Sequence, residues 1–278
     1  MHDQLSVYLE RIGYFGSMEP ELGVLKSVHR GQVATIAYEN LDVYQERPVQ
    51  HDLQAVFEKL VSSGRGGWCY EQNTLLGWAL RQMGFEVTRL CGGVMREVSG
   101  DDAFGNHLVL MVHLDEPWIA DCGLGDGVLE PFRLVEGKFN QSARVYRLEK
   151  LEAEEWRFHN HKDARPPSFD LHTGPVDEAH LSQVASKLQT DPESMFRKNL
   201  ICQRMTDAGT HALRGRVLSK ANGETRVLRS AAELTTTLTD VFGITDPPLD
   251  GLWERVQKRH EEVFPETTDE DIEALRSA

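Results

Sequence analysis

The hydrophobic periodicity changes at Gly84, and this change limits the fold more than any other feature of the sequence. Before it, apolar residues recur at helical spacing in residues 52–61 and 69–83, which predicts amphipathic helices. After it, residues 85–90 alternate with period two, and short β-rich apolar runs follow as far as residue 161. Because turn residues separate these runs, the pattern predicts an antiparallel sheet or a small barrel.

The last third of the chain combines both patterns. Three segments return to helical spacing, at residues 177–188, 231–242 and 252–263, while the acidic end from residue 266 predicts a solvated helix or tail. The dipeptide Asn222-Gly223 is typical of a hairpin turn. The order of patterns predicts an α+β fold with boundaries near residues 84 and 190. Strands are predicted at residues 200–205, 212–219 and 225–228.

Net charge and terminal sequence restrict the compartment and the partners. The chain has 278 residues, with 30 Lys and Arg against 44 Asp and Glu, for a net charge of −14. This balance gives no global electrostatic reason to bind nucleic acid or an anionic membrane. The N-terminus lacks the pattern of a signal peptide, and no apolar run approaches the roughly 18 residues of a membrane helix. We therefore expect a cytoplasmic protein with no nucleic acid or membrane partner.

The cysteines indicate chemistry rather than cross-links. They are too few for a disulfide framework in a chain of this length, and no CxxC pair predicts a zinc site. His159 and His161 alternate on a predicted strand, but no third ligand accompanies them, so we expect no metal. In a reducing compartment the question is which thiol reacts. The four cysteines are Cys69, Cys91, Cys122 and Cys202.

Cys69 has the surroundings of a nucleophile. Gly66 and Gly67 precede it and allow a sharp turn and a close approach of other groups, and the cysteine begins a predicted helix. A helix N-terminus presents unpaired N–H groups and partial positive charge, which favour a thiolate. The competing interpretation is a buried, inert cysteine that begins a core helix.

A base and its orienting group are predicted on one hairpin. His107 begins the apolar run 107–114, and Asp121 follows the strand that starts at Trp118. A turn at residues 115–117 places these strands side by side, so His107 and Asp121 come close. Asp121 then holds one ring nitrogen while the other faces Cys69. The alternatives are a satisfied core histidine and a turn aspartate. Other catalytic motifs, GxSxG, HExxH and Walker A, are absent.

Five segments resemble the arylamine N-acetyltransferase family, in the family's order and across nearly the whole chain. Residues 65–73, RGGWCYEQN, resemble its RGGxCxExN signature. Residues 106–108, NHL, and 121–125, DCGLG, resemble its histidine and DxGFG segments. Residues 38–41, YENL, are similar to PFENL, and residues 195–200, MFRKNL, are similar to SPFxxNL.

The resemblance implies a fold and a reaction. It implies a helical bundle at residues 1–84 carrying the nucleophile, an antiparallel β-barrel at 85–190 carrying the histidine and aspartate, and an α/β lid at 191–278, around a cysteine-protease-like triad core. It implies ping-pong transfer of acetyl from acetyl-CoA, through S-acetyl-Cys69, to arylamines, arylhydrazines or N-hydroxyarylamines in xenobiotic metabolism. Acetyl-CoA is then a co-substrate, no cofactor is permanently bound, and homo-oligomerisation stays open.

The resemblance also assigns residues around the implied triad of Cys69, His107 and Asp121. Departures from the family pattern are Tyr38 for the more usual Phe, Leu124 for an aromatic residue, and Cys122 beside the triad aspartate. They bear on acceptor preference. The implied groups are an ion pair of Arg65 and Glu39, an acceptor pocket with Tyr38, Val94 and Leu124, and coenzyme contacts by Gly123, Gly125, Gly127 and Phe196.

Other functions are compatible with the same triad. An amide synthase that closes a macrolactam, or a transferase using malonyl- or propionyl-CoA, would keep the fold and change the substrates. A hydrolase of the cysteine-protease or transglutaminase type would let water attack the acyl-enzyme. A non-enzymatic binding protein would keep the fold and lose the reactivity of Cys69.

Overall fold

Helices form the first third of the chain, as the apolar spacing predicts. The computed structural model describes residues 2–277, and the side chains of residues 4–274. Asp52 caps a helix as expected, its Oδ1 accepting from the Ala55 N–H at 3.1 Å, and Gly84, with φ +87°, follows the end of another. The helices are α1 (His2–Arg11), α2 (Leu22–Thr35), α3 (Leu41–Tyr44), α4 (Leu53–Phe57), continued by a π-helical turn (Glu58–Ser62), and α5 (Cys69–Gln82).

The middle of the chain forms one eight-stranded antiparallel sheet. Its strand order is β5-β4-β3-β2-β9-β8-β7-β6, and a short helix α6 (Arg96–Ser99) and a 3₁₀ turn (Gly100–Ala103) lie between β2 and β3. The strands are β2 (Glu86–Val94), β3 (His107–His113), β4 (Pro117–Ala120), β5 (Phe132–Arg133), β6 (Gly137–Gln141), β7 (Arg144–Lys150), β8 (Glu155–His159) and β9 (Ser168–His172).

The large sheet curls into a half-barrel. Within residues 2–277 no backbone ladder joins β5 to β6, so the sheet is not the closed barrel implied by the resemblance. Side chains bring the two edges together instead: Phe132 on β5 stacks on Phe139 on β6 with ring centroids 5.0 Å apart. Gln141 Nε2 also donates to the Glu130 carbonyl at 2.6 Å. The aromatic core inside the curl therefore takes the place of the missing ladder.

The last third contains helices and a five-stranded antiparallel sheet of order β1-β10-β11-β12-β13, in which β1 (Tyr38–Glu39) comes from the first third. The run 212–219, predicted as one strand, is divided by a turn at Gly215, which has φ +58°. The elements are α7 (Glu178–Thr190), α8 (Met195–Lys198), β10 (Ile201–Thr206), β11 (Gly209–Arg214), β12 (Val217–Ser219), β13 (Thr225–Val227), α9 (Ala231–Thr236), continued by a π-helical turn (Thr237–Val241), α10 (Leu252–Val263) and α11 (Asp269–Ser277).

The chain end is docked rather than solvated. Ile272 of α11 is buried, and Glu273 Oε1 accepts from the Val227 N–H at 2.7 Å. The hairpin predicted at Asn222-Gly223 is confirmed, because β12 and β13 pair across it.

The α+β class is confirmed, whereas the division at residues 84 and 190 stays a prediction. Core packing crosses both positions: Leu41 and Tyr44 belong to the same buried cluster as Leu213 and Phe242. In the part of the chain that the structure describes, no helix is long and apolar enough to cross a membrane.

Candidate active site

Two glycines set the position of Cys69 at the first residue of α5. The Gly67 N–H donates to the Ala37 carbonyl at 3.2 Å, so this segment runs tightly against β1. A Cβ on Gly66 would collide with the Ala37 carbonyl, and one on Gly67 would lie 2.7 Å from Glu71 Oε2. Only glycine fits both positions. Cys69 is therefore fixed where α5 presents its unpaired N–H groups.

The β3–β4 hairpin brings His107 and Asp121 together. Ala120 pairs with Leu110, which places Asp121 next to the start of β3. His107 Nε2 lies 2.8 Å from Asp121 Oδ2, and both side chains are buried. The sequence pattern of this hairpin predicted the contact.

His107 also contacts the thiol. Burial alone would lower the pKa of His107, but the charge and hydrogen bond of Asp121, together with Cys69, raise that pKa to about 10. Cys69 Sγ lies 3.8 Å from the Asn106 carbonyl. Gly123 closes the other side, since a Cβ there would lie 2.6 Å from Cys69 Cα. The positively charged form of His107 is therefore stabilised beside the Cys69 thiol.

Asp121 is held by Asn73, Gly123 and His29, of which the sequence predicted only Gly123 as a site residue, and as a coenzyme contact. Its Oδ1 accepts from Asn73 Nδ2 and from the Gly123 N–H, each at 2.8 Å. The buried His29 ring spans two backbone groups: Nδ1 donates to the Leu129 carbonyl at 3.0 Å, and Nε2 accepts from the Asp121 N–H at 3.1 Å. Burial lowers the pKa of His29, which favours the neutral ring that this pattern requires. These contacts fix the Asp121 carboxylate toward His107.

The predicted Arg65–Glu39 ion pair forms and belongs to a larger buried network. Arg65 Nη2 lies 2.8 Å from Glu39 Oε1 and 3.1 Å from Asp42 Oδ2. Lys59 Nζ lies 2.8 Å from Asp42 Oδ2 and 2.9 Å from Glu71 Oε1. Three carboxylates and two cations therefore alternate beside the start of α5.

The network acts on the helix through Glu71, whose Oε2 accepts from the Trp68 N–H at 3.2 Å. Burial raises the pKa of Glu71 to about 7, and Glu39 and Asp42 add to this rise while Lys59 opposes it. Burial alone would lower the pKa of Lys59, but the surrounding carboxylates raise it. A carboxyl group with a pKa near neutral pH therefore binds the backbone at the start of α5.

A cavity of about 500 Å³ opens onto the triad. Gly125 and Gly127, predicted to contact the coenzyme, are not among its described lining residues: Gly125 packs against Gln203, and the Gly127 carbonyl accepts from the Tyr146 hydroxyl at 3.0 Å. Among the predicted site residues, those lining the cavity are Tyr38, Cys69, Val94, His107, Gly123, Leu124 and Phe196.

The cavity wall also holds residues that the sequence argument missed. They are spread over loops and strands far apart in the chain, so no local pattern could have collected them. Two are cationic, and no Asp or Glu lines the cavity among the residues described. These lining residues are Met95, Val98, Ser99, Asn106, Arg165, Pro166, Pro167, Leu188, Met195, Ile201, Gln203 and Arg214.

The other candidate groups are engaged elsewhere. Burial raises the pKa of the Cys91, Cys122 and Cys202 thiols. His159 lies 2.7 Å from Glu149 Oε2, whereas His161 faces a different carboxylate, at 3.4 Å. Over the described residues, no group of three or more His, Cys, Asp and Glu side chains is arranged to hold a metal ion.

Thiol-dependent acyl-transfer sites combine a thiol, a histidine and a carboxylate beside a substrate cavity. Cys69, His107 and Asp121 have this arrangement. A family model described as N-acetyltransferase matches residues 21–247. The chain is 35% identical over 272 residues to the arylamine N-acetyltransferase of Mycolicibacterium smegmatis, covering 94% of this chain and 98% of the relative.

Solved structures agree with this match. That of arylamine N-acetyltransferase from Salmonella typhimurium superposes with a TM-score of 0.83 at 26% identity, over 93% of this chain and 99% of the other. That of the Mycobacterium marinum enzyme in complex with CoA gives 0.82 at 30% identity, over 91% and 98%. The chain belongs to the arylamine N-acetyltransferase family, as the five sequence segments predicted, and is an acyltransferase.

Proposed function

We propose that the chain transfers acetyl from acetyl-CoA to arylamines, arylhydrazines or N-hydroxyarylamines by a ping-pong mechanism through S-acetyl-Cys69. The observation that carries this proposal is the contact of Cys69 with the buried His107–Asp121 pair at the wall of one cavity. It supplies a nucleophile, a proton carrier and a group that holds the carrier in place.

In the first half-reaction, the Cys69 thiolate attacks the thioester carbonyl carbon. A carbon–sulfur bond forms to Cys69, and the bond to the CoA sulfur breaks. The leaving thiolate takes the proton of the His107 imidazolium, so His107 becomes neutral. The unpaired N–H groups in the first turn of α5 and the positive end of its dipole favour the oxyanion of the tetrahedral intermediate.

In the second half-reaction, the amine nitrogen attacks the acetyl carbon on Cys69. A carbon–nitrogen bond forms, the bond to Cys69 breaks, and neutral His107 takes the proton that the nitrogen loses. The thiolate and the imidazolium are then restored together. Asp121 stabilises the imidazolium in both half-reactions and stays ionised, because His107 and Asn73 lower its pKa against the effect of burial.

The lining of the cavity supports both substrates. Arg165 and Arg214 face it and no described carboxylate does, so an anionic donor such as acetyl-CoA is favoured locally within a chain of charge −14. The structure neighbour from Mycobacterium marinum is a complex with CoA. Val94, Leu124 and Phe196 give an apolar surface for an aryl acceptor, with Leu124 offering packing rather than aromatic stacking.

Intact-protein mass spectrometry tests the proposal. Acetyl-CoA alone should add one acetyl group to the wild type and to Cys122→Ala, and none to Cys69→Ala. An arylamine should then remove the group far faster than water does. Acetylation of Cys69→Ala would contradict the assignment of the nucleophile. Equal loss with and without amine would indicate a hydrolase, and exclusive loading from malonyl- or propionyl-CoA would change the donor.

A further inference from the structure

A second cavity, of about 410 Å³, is strongly cationic although the whole chain carries a charge of −14. Five of its lining side chains are Arg or Lys, and two are carboxylates. The cavity beside Cys69 and His107, which we call the triad cavity, contains none of these residues. We call it the basic cavity, and it is lined by Tyr44, Glu46, Pro192, Arg197, Lys198, Arg255, Lys258, Arg259 and Glu262.

The two carboxylates do not neutralise the basic cavity. Glu46 is shared between two cations, with Oε2 at 2.8 Å from Arg197 Nη2 and Oε1 at 2.9 Å from Arg255 Nη1. Glu262 pairs with Arg259 at 3.1 Å. Lys258 is exposed, and no ion pair joins it to another residue of the described chain. Outside the lining, Glu193 pairs with Lys198 at 2.6 Å. Three carboxylates against five cations still leave an excess of positive charge.

Two buried donors in the wall of the basic cavity have no acceptor. Tyr44 is 1% exposed, and its hydroxyl finds no hydrogen-bond partner within residues 2–277. Arg197 Nε is likewise buried without a partner there. Burial raises the pKa of Tyr44 to about 12 against the opposing effect of Arg255, so the hydroxyl keeps its proton. Unpaired buried donors are costly and are normally satisfied by a ligand, an ion or water.

The cationic groups are also oriented in advance. The Arg255 guanidinium lies 4.9 Å above the Tyr44 ring and donates to the Arg197 carbonyl at 3.2 Å. Arg259 Nε donates to Asn199 Oδ1 at 3.1 Å. Guanidinium forks held in this way match the oxygens of phosphate, and binding then immobilises few side chains.

We propose that the basic cavity is a phosphate-binding site separate from the triad. Its ligand is a phosphate or pyrophosphate group, taken either from the nucleotide end of the acyl donor or from a free phosphorylated molecule. The helix α8 connects the two cavities, because Met195 and Phe196 line the triad cavity while Arg197 and Lys198 line the basic one. Binding at Tyr44 and Arg197 supplies the acceptors that these donors lack.

Titration calorimetry with inorganic pyrophosphate at low ionic strength tests the site on the full chain. The wild type should bind, and Lys258→Glu should weaken binding about tenfold because it replaces an attractive charge with a repulsive one. Lys162→Glu is the matched control, since Lys162 is also exposed and unpaired among the described residues but lies outside the basic cavity. No binding by the wild type, or equal weakening in both variants, would overturn the proposal.

The substitution Tyr44→Phe distinguishes specific binding at the Tyr44 hydroxyl from general charge attraction. Without ligand its melting temperature should equal or exceed that of the wild type, because an unsatisfied hydroxyl is removed. With pyrophosphate it should lose part of the rise in melting temperature that the wild type gains. If pyrophosphate raises the melting temperature of Tyr44→Phe as much as that of the wild type, the role of the hydroxyl and the proposed phosphate site are contradicted.

Donor kinetics identify the source of the phosphate. If the acyl donor supplies it, Lys258→Glu should raise the KM for acetyl-CoA and leave the KM for the acetyl thioester of N-acetylcysteamine unchanged. If a free molecule supplies it, both KM values should stay unchanged while pyrophosphate affinity still falls. Either result supports the site, and calorimetry reports on it even when no turnover is observed.

Discussion

Cys69 contacts His107, and Cys122 directly follows Asp121 in the chain; the two thiols are almost equally buried, at 3% and 6% exposure. Cys69 faces His107 and the cavity. The Cys122 thiol points to the His29 carbonyl at 3.8 Å and packs in the core cluster of the helical part. Because the two thiols are buried to a similar extent, the nearest charge and the access of a substrate are what distinguish them.

The Asp121 carboxylate has different electrostatic effects on the surroundings of the two thiols. Burial and the Asp121 carboxylate raise the pKa of Cys122 well above its usual value, which keeps that thiol protonated. The same carboxylate stabilises a positive charge on His107, which faces Cys69. The Asp121 carboxylate therefore keeps the Cys122 thiol protonated and stabilises the imidazolium that faces Cys69.

The substitution Asp121→Asn is the strongest test of the role of the Asp121 charge beside His107. Loss of the carboxylate charge should lower kcat/KM for acetyl transfer by about 10³–10⁴-fold, because His107 loses the group that orients and stabilises its imidazolium. Steady-state kinetics measure this loss. Asp163→Asn is a control at an exposed loop position. A fall of less than about tenfold, in a variant that folds normally, would contradict the role of Asp121.

Selective alkylation tests the contrast between the thiols directly. Iodoacetamide at neutral pH should modify Cys69 at least about 100-fold faster than Cys122, because only Cys69 combines an imidazolium partner with an open cavity. Peptide mass spectrometry after timed quenching measures both rates, and activity should fall in step with modification of Cys69. Prior loading with acetyl-CoA should protect Cys69. Faster modification of Cys122 would reverse the comparison.

The sequence predicted that His107 and Asp121 would meet near Cys69, because each of these residues has a local signature. The Gly66-Gly67 pair precedes Cys69, and the β3–β4 hairpin is short enough for its register to follow from the chain itself. His29 has no such signature, since it lies on α2 and meets Asp121 across 92 positions of sequence. Period-two alternation predicted an antiparallel sheet or a small barrel, because it indicates strands but does not determine whether β5 pairs with β6.

The charge network shows the same limit. Arg65 and Glu39 lie in motif segments, whereas Lys59 lies in a π-helical turn that no sequence pattern predicted. Its contact with Glu71 depends on how that turn and α5 pack. Long-range packing therefore converted one predicted ion pair into a five-residue network.

Glu71→Gln should show the smallest effect, as a change in how stability depends on pH. The folded-state pKa of Glu71 is about 7, above its usual value of 4.5. Between these values the folded chain binds the proton more tightly than the unfolded chain, so this group's contribution to stability is complete below about pH 4.5 and is lost as the pH rises through about 7. Relative to Glu71→Gln, the wild type should lose about 1–3 kcal/mol of unfolding free energy across this window.

Urea denaturation at several pH values measures the slope for both proteins. Glu254→Gln, at an exposed position in the first turn of α10, is the matched control and should follow the wild type. Parallel slopes in the wild type and Glu71→Gln would mean that Glu71 stays ionised throughout, with Lys59 outweighing burial.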